Sequence, residues 1–176
     1  MTKGSPGRTP VGVIGGGYVG LVTGVCFAAL GHPVTIRDID AAKVDALNSG
    51  VPPIYEDGLA DLMRRHAENL TYTLSLPDML DASEVVFIAV DTPPTHSGDA
   101  DLSRVMTVVD ELAAAGATDK VLVMKSTVPV GTGARVRAAL DAHGLHDVAY
   151  ASNPEFLKEG VAIADFTHPD RVVIGS

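Results

Sequence analysis

Two hydrophobic rhythms alternate along this chain. Short apolar runs at residues 11–15, 34–38, 85–90, 121–124 and 148–151 predict strands. Between them, residues 18–30, 40–48, 58–68, 102–115 and 132–143 carry helical spacing, with Gly31 and Ser49-Gly50 supplying stops. Residues 70–76 alternate strictly, which places Leu70, Tyr72, Leu74 and Leu76 on one face of a half-exposed strand. By contrast, residues 85–90 and 121–124 are nearly continuous apolar runs, as expected of strands covered on both faces. Residues 155–164 predict one more helix and residues 171–174 a closing strand. Strand–helix alternation from end to end predicts an α/β class, with a doubly wound, mostly parallel sheet between two helical layers. A strand order of 3-2-1-4-5-6 puts the alternating third strand at an edge and the first and fourth in the centre.

At the end of the first strand stands Val11-Gly-Val-Ile-Gly-Gly-Gly-Tyr-Val-Gly-Leu21. In this order Gly15 permits a tight turn, Gly17 lets a pyrophosphate approach the backbone, and Gly20 allows close helix–strand packing. A helix beginning at Tyr18 and Val19 aims unpaired N–H groups at an anion. Asp38 ends the next apolar run 18 residues past Gly20, close to the ~20 expected of a ribose-binding acid. Together these features predict a Rossmann-type dinucleotide site. A carboxylate accepts hydrogen bonds from ribose hydroxyls and repels a 2′-phosphate, so Asp38 favours NAD over NADP. Arg37 is the one residue against this preference, and strand alternation predicts that its side chain points away from that of Asp38.

A length of 176 residues suits one domain, residues 11–176, after a Gly- and Pro-rich leader at 1–10 that is expected to be disordered. The net charge of −9 argues against nucleic-acid and anionic-membrane partners. No apolar run approaches the ~20 residues of a membrane span, and the leader has no signal-peptide character. The single cysteine, Cys26, fits a reducing cytoplasm and is flanked by apolar residues, predicting a buried helical thiol rather than a nucleophile. The six histidines form no metal-ligand spacing, so no metal is expected.

Three unusual segments follow strands on the side of the sheet where such folds bind ligands: Asp91-Thr-Pro-Pro94, Lys125-Ser-Thr-Val-Pro129 and Ser152-Asn-Pro-Glu155. Each also has a purely structural reading, with prolines stopping strands and Asn153-Pro154 capping a helix. Glu155 and Glu159, four apart at the start of the predicted helix, share one face. They form either an acidic solvated turn or a carboxylate pair facing a polar ligand or an activated water.

The ordered set of motifs resembles the nucleotide-sugar 6-dehydrogenases. It comprises the glycine loop with Gly24-Val-Cys-Phe-Ala28, Asp38-Ile-Asp40 with Lys43, Leu47-Asn-Ser-Gly50, Pro53-Ile-Tyr-Glu56 with Gly58-Leu59, and Phe87-Ile-Ala-Val90 with Thr92-Pro93. It continues through Ala100-Asp-Leu-Ser103, Lys125-Ser-Thr-Val-Pro-Val-Gly-Thr132, Ser152-Asn-Pro-Glu-Phe-Leu-Lys-Glu-Gly160 and Pro169-Asp-Arg-Val-Val-Ile-Gly175. The resemblance implies oxidation of a sugar C6 alcohol to a carboxylate with two NAD+, through an aldehyde held as a thiohemiacetal and then a thioester. It implies that Gly15, Gly17, Tyr18, Val19 and Gly20 hold the pyrophosphate and that Asp38 and Lys43 bind the adenosine ribose. Val90, Thr92 and Pro93 would line the cofactor opposite the glycine loop. Thr127 resembles the residue whose hydroxyl organises water or an oxyanion near the nicotinamide. Glu155 resembles the acid of thioester hydrolysis, and Glu159 one that contacts the nicotinamide end. Glu155, Phe156, Leu157, Lys158 and Glu159 would touch the substrate.

Pro53-Ile-Tyr-Glu56 is similar to the UDP-glucose branch, with UDP-N-acetylmannosamine and GDP-mannose as the alternative substrates and a non-catalytic NAD-binding module as the alternative function. Asp91 departs from the small or neutral residue usual in the family, and it either weakens cofactor binding or adds a ribose contact. The family's nucleophilic Cys, substrate-binding Lys and Asn, central helix and substrate domain follow later than residue 176, and its homodimer contact lies largely in that helix. The chain stops straight out of a strand-like run at Ile174-Gly-Ser176, the ending expected of a shortened protein.

Overall fold

The computed structural model describes residues 7–176; most of the expected leader lies outside the described residues. Six strands form one sheet, ordered β3-β2-β1-β4-β5-β6, and every pairing is parallel. They are β1 (Val11–Ile14), β2 (Val34–Arg37), β3 (Leu70–Thr73), β4 (Val85–Ile88), β5 (Val121–Met124) and β6 (Ala149–Ser152). The helices are α1 (Tyr18–Ala29), α2 (Ala41–Asn48), α3 (Leu59–Arg65), α4 (Leu76–Asp81), α5 (Ser103–Ala114), α6 (Thr132–Ala142) and α7 (Ala162–Thr167), with a 3₁₀ turn at Ala67–Asn69.

The period-two geometry of strands explains the three layers. Val86 and Ile88 face a core made with Leu76 and Met79 of α4, Val105 and Val109 of α5, and Val136 and Leu140 of α6. Phe87, between them, joins Val13, Ile36 and Val123 in a second core with Leu21, Val25 and Cys26 of α1, Leu59 of α3 and Ala162 of α7. Burying both faces of β1 and β4 is what makes their sequences continuously apolar. β3 lies at the edge and stays half exposed, as its alternation predicts.

Three expectations need correction. The strand predicted over 70–76 ends at Thr73, and Leu76 instead opens α4. Ser75 caps that helix by accepting from the Asp78 N–H at 3.2 Å, with a proline in the first turn. Leu74 and Leu76 fit the alternation only by coincidence: Leu74 is exposed, whereas Leu76 is buried.

The helix predicted over 155–164 begins only at Ala162, and Asn153 does not cap it. The Leu157 N–H is taken by the Glu155 carboxylate at 2.6 Å, a local bond that competes with helix formation. Gly160 adopts φ +86°, outside the helical region. Glu155 and Glu159 therefore lie in an irregular segment and share no helix face.

The predicted strand over 171–174 is not formed. Only Gly175 pairs, antiparallel, with Ser152. Asn153 Nδ2 takes the Val173 carbonyl at 2.8 Å, and the apolar side chains of Val172, Val173 and Ile174 are exposed.

Candidate dinucleotide site

The chain leaves β1 at Ile14 and enters α1 at Tyr18 through three glycines. Gly15 has φ +104°, and a Cβ there would stand 2.4 Å from the Ala89 carbonyl oxygen of the strand alongside. A Cβ on Gly20 would stand 1.9 Å from the Gly15 carbonyl oxygen, so the first turn of α1 packs directly onto the loop. Gly17 differs. A Cβ there would meet only Asp91 Oδ1, at 3.9 Å, leaving this part of the backbone open. Leu21 donates the first helical hydrogen bond, to the Gly17 carbonyl, and no side chain caps α1. The N–H groups of Tyr18, Val19 and Gly20 precede that bond, which is the arrangement an anion requires.

Asp38, buried at 6 % exposure, joins this loop to the start of α2. Its Oδ2 accepts from the Gly16 N–H at 2.7 Å and from Lys43 Nζ at 2.8 Å, and its Oδ1 accepts from the Asp40 N–H at 3.0 Å. Desolvation pushes the carboxyl pKa up. The hydrogen bonds from Lys43, Asp40 and Gly16 outweigh it and hold the acid below its usual range. Asp38 is therefore ionised at neutral pH, and Oδ1 keeps unused acceptor capacity.

Gly15, Gly17, Asp38, Lys43 and Val90 gather around one cleft of about 370 Å³, with Ile14, Ile39 and Ala89 adding apolar surface and Thr107 and Val108 of α5 closing it. It lies beyond the carboxyl ends of β1, β2 and β4, where the strand order reverses. Open amides, an ionised acid and an apolar wall fit a dinucleotide's diphosphate, ribose and adenine in turn. Arg37 also lines the cleft, but its side chain turns to Glu111 of α5 while that of Asp38 turns to Gly16 and Lys43 of α2, the separation that strand alternation predicts. The cleft sits past the strand ends and is open to both faces of the sheet. Asp91 is on the rim, where Arg104 binds it at 2.7 Å.

Thr92 and Thr127 meet at the ends of β4 and β5, the Thr92 hydroxyl donating to the Thr127 carbonyl at 2.7 Å. Pro93 is exposed beside them. Glu155 is half-buried, whereas Phe156, Lys158 and Glu159 are exposed. Phe156 and Leu157 line a separate hollow of about 220 Å³ with Lys125, Asn153 and Arg171. A larger hollow, about 720 Å³ between α2, α3 and β3, contains none of the expected site residues. Cys26 is buried, and desolvation pushes its thiol up to about 12, as a core cysteine requires.

Glu56, the last residue of the Pro53-Ile-Tyr-Glu56 motif, has a role that its sequence context does not reveal. It is buried at 6 % exposure. It accepts from the Tyr18 hydroxyl at 2.5 Å and from the Gly160 and Ala162 N–H groups at 2.7 and 2.8 Å. Burial pushes its pKa up, and these hydrogen bonds more than reverse that shift. Glu56 thereby ties the glycine-loop helix to the segment at 155–160. Among the described residues, no helix is long and apolar enough to cross a membrane, and no group of His, Cys, Asp and Glu is arranged to hold a metal ion.

Residues 9–176 match the model of the NAD binding domain of the UDP-glucose/GDP-mannose dehydrogenase family. The chain is 50 % identical over 172 residues to a UDP-glucose 6-dehydrogenase of Pseudomonas aeruginosa, and 45 % over 170 residues to UDP-glucose 6-dehydrogenase TuaD of Bacillus subtilis. These alignments cover 93 % and 94 % of the chain but only 38 % and 37 % of those relatives. A UDP-glucose dehydrogenase structure from Pyrobaculum islandicum superposes with a TM-score of 0.90 at 39 % identity, covering 99 % of this chain and 42 % of that one. A GDP-mannose dehydrogenase from Pseudomonas aeruginosa gives 0.89 at 35 %, covering 95 % and 41 %. The chain thus belongs to the UDP-glucose/GDP-mannose dehydrogenase family and carries that family's NAD-binding Rossmann domain.

Proposed function

We propose that this chain is the cofactor-binding part of a cytoplasmic UDP-glucose 6-dehydrogenase, which oxidises UDP-glucose to UDP-glucuronate with two NAD+. The observation that carries the reading is the single cleft joining Gly15, Gly17, Asp38, Lys43 and Val90. The identity to UDP-glucose 6-dehydrogenases supports this sugar over GDP-mannose or UDP-N-acetylmannosamine.

In this reading the amides of Gly17, Tyr18, Val19 and Gly20 bind the pyrophosphate. Gly16 is reserved for Asp38, which fixes the loop. Asp38 receives the ribose hydroxyls, with Lys43 holding its carboxylate in place. Val90, Thr92 and Pro93 flank the nicotinamide half. NAD, when bound, supplies the hydride acceptor. The Thr127 hydroxyl orients water or an oxyanion there, Glu155 assists hydrolysis of the acyl intermediate, and Glu159 contacts the nicotinamide end. Backbone and side chains of Glu155, Phe156, Leu157, Lys158 and Glu159 contact the sugar nucleotide, on a segment that Glu56 anchors. Buried Cys26 is not the thiol that holds the aldehyde. That thiol, the rest of the sugar pocket and the homodimer contact belong to parts of the protein beyond these residues.

Calorimetric titration with NAD tests the binding half, and saturation at or below millimolar NAD is expected. Absence of saturable binding overturns the reading. Following NADH formation with UDP-glucose tests the catalytic half, and no sustained turnover is expected from residues 1–176 alone.

A further inference from the structure

Three cations line the cleft, Arg37, Lys43 and Arg104, and each is already bound to an acid of the same cleft. Arg37 Nη1 lies 2.8 Å from Glu111 Oε2, Lys43 Nζ lies 2.8 Å from Asp38 Oδ2, and Arg104 Nη1 lies 2.7 Å from Asp91 Oδ2. The remaining charged residue of the lining, Asp40, is an acid whose Oδ1 caps α2. Among the described residues, the cleft therefore presents no unpaired cation and carries a surplus of negative charge.

The three pairs differ in how readily they open. Arg104 and Asp91 are 59 % and 77 % exposed, so water screens them and holds them loosely. Lys43 and Asp38 belong to the brace of the glycine loop. Arg37 and Glu111 join the end of β2 to α5 across the cleft wall, with side chains only 11 % and 34 % exposed. Separating this pair leaves a half-buried carboxylate without its partner. Arg37 is also the residue immediately before Asp38. An arginine near the ribose-binding acid is the group that accommodates a 2′-phosphate in dinucleotide folds. Here Glu111 holds that guanidinium toward α5.

We propose that Glu111 is a specificity-determining residue for the cofactor: by engaging Arg37 it denies a 2′-phosphate a cation of the cleft, while Lys43 is held by Asp38. The inference rests on the reading of this cleft as the NAD site. NADP must meet the Asp38 charge and in addition break the Arg37–Glu111 pair, beside a carboxylate that then repels the incoming dianion. Removing the Glu111 charge frees Arg37 to form a charge-assisted hydrogen bond with the phosphate. The Asp38 repulsion persists, so NAD remains the preferred cofactor.

The test is calorimetric titration of NAD and NADP into the wild-type chain and into the Glu111→Gln and Arg37→Ala/Glu111→Gln variants. The readout is the ratio of the NADP to the NAD dissociation constant. It is expected to fall about tenfold in Glu111→Gln, the order of one such bond gained, and to return to the wild-type value or above in the double variant. Should Glu111→Gln fail to fold by circular dichroism, Glu111→Ala serves in its place, since the partly exposed position on α5 tolerates a small residue. A ratio unchanged in the single variant overturns the inference while wild-type NAD binding leaves the site reading intact. A fall that persists without Arg37 also overturns it, assigning the effect to the Glu111 charge alone. A wild-type chain that saturates with neither dinucleotide overturns the site reading itself, and the inference with it.

Discussion

The Tyr18 hydroxyl donates to Glu56 Oε2 at 2.5 Å, linking residues from the glycine loop and from a surface loop 38 positions later. The same carboxylate receives the Gly160 N–H and the Ala162 N–H at the start of α7. Each donor satisfies a buried charge, so the cost of losing a contact depends on which partner is removed. Tyr18→Phe leaves Glu56 with its backbone donors and is expected to cost about 1 kcal/mol. Glu56→Gln turns one acceptor oxygen into an N–H group facing other N–H groups, and is expected to cost about 2–3 kcal/mol. Urea unfolding measures both. Equal losses, or a larger one for Tyr18→Phe, would place the weight elsewhere than on the carboxylate.

The same hydrogen bonds predict how stability varies with pH. Glu56 and Asp38 are held below their ordinary values of 4.5 and 3.8 in the folded chain. The unfolded state thus binds more protons in the window between folded and unfolded pKa. The stabilisation is complete above the unfolded values and disappears as pH falls through the folded ones. Unfolding free energies measured from about pH 6 down to about pH 3 are expected to decrease, with a shallower slope in Glu56→Gln. An unchanged slope would mean that Glu56 is not held low.

Much of this was legible in sequence because it is periodic or conformationally forced. Continuous apolar runs identified the central strands, and the glycine spacing identified the loop, since Gly15 and Gly20 leave no room for a Cβ. The residues that were missed act across long separations. Glu56 meets Gly160 from 104 positions away and Arg37 meets Glu111 from 74. A lone acid in a loop or on an amphipathic helix gives no local sign of such a partner. Local rules also misled where two of them competed. Asn153-Pro154 resembles a helix start, but the Glu155 carboxylate captures the Leu157 N–H first. Leu74 and Leu76 continue the strand alternation, but the Ser75 cap overrides it.

Cys26 gives a direct check on the packing of α1. The thiol is fully buried in the core shared with Val13, Ile36 and Phe87, and its pKa is pushed up to about 12 by desolvation. Near neutral pH it is neither exposed nor ionised, and the thiolate is the reactive form. A chromogenic disulfide reagent is expected to detect no thiol in the native chain and one after denaturation. Rapid native labelling would show that α1 opens locally, contrary to its packing against the sheet and α7.

Gly17 and Gly20 separate binding from folding. At Gly20 a methyl group collides with the Gly15 carbonyl oxygen, backbone that has no room to yield because Gly15 is itself pressed against Ala89. Gly20→Ala is therefore expected to destabilise the fold by about 1–3 kcal/mol or more, with cofactor binding lost as a consequence. Gly17 has φ −75° and ψ −167°, which alanine adopts without strain, and its Cβ position is nearly empty. Gly17→Ala is expected to unfold close to the wild-type midpoint, while a methyl group now occupies the approach to the open amides. Its NAD dissociation constant is expected to rise about tenfold or more, the scale of losing one charge-assisted hydrogen bond to a phosphate oxygen. Thermal unfolding and calorimetry on the two variants distinguish the roles. If Gly17→Ala binds NAD as tightly as wild type, the diphosphate does not lie against this backbone.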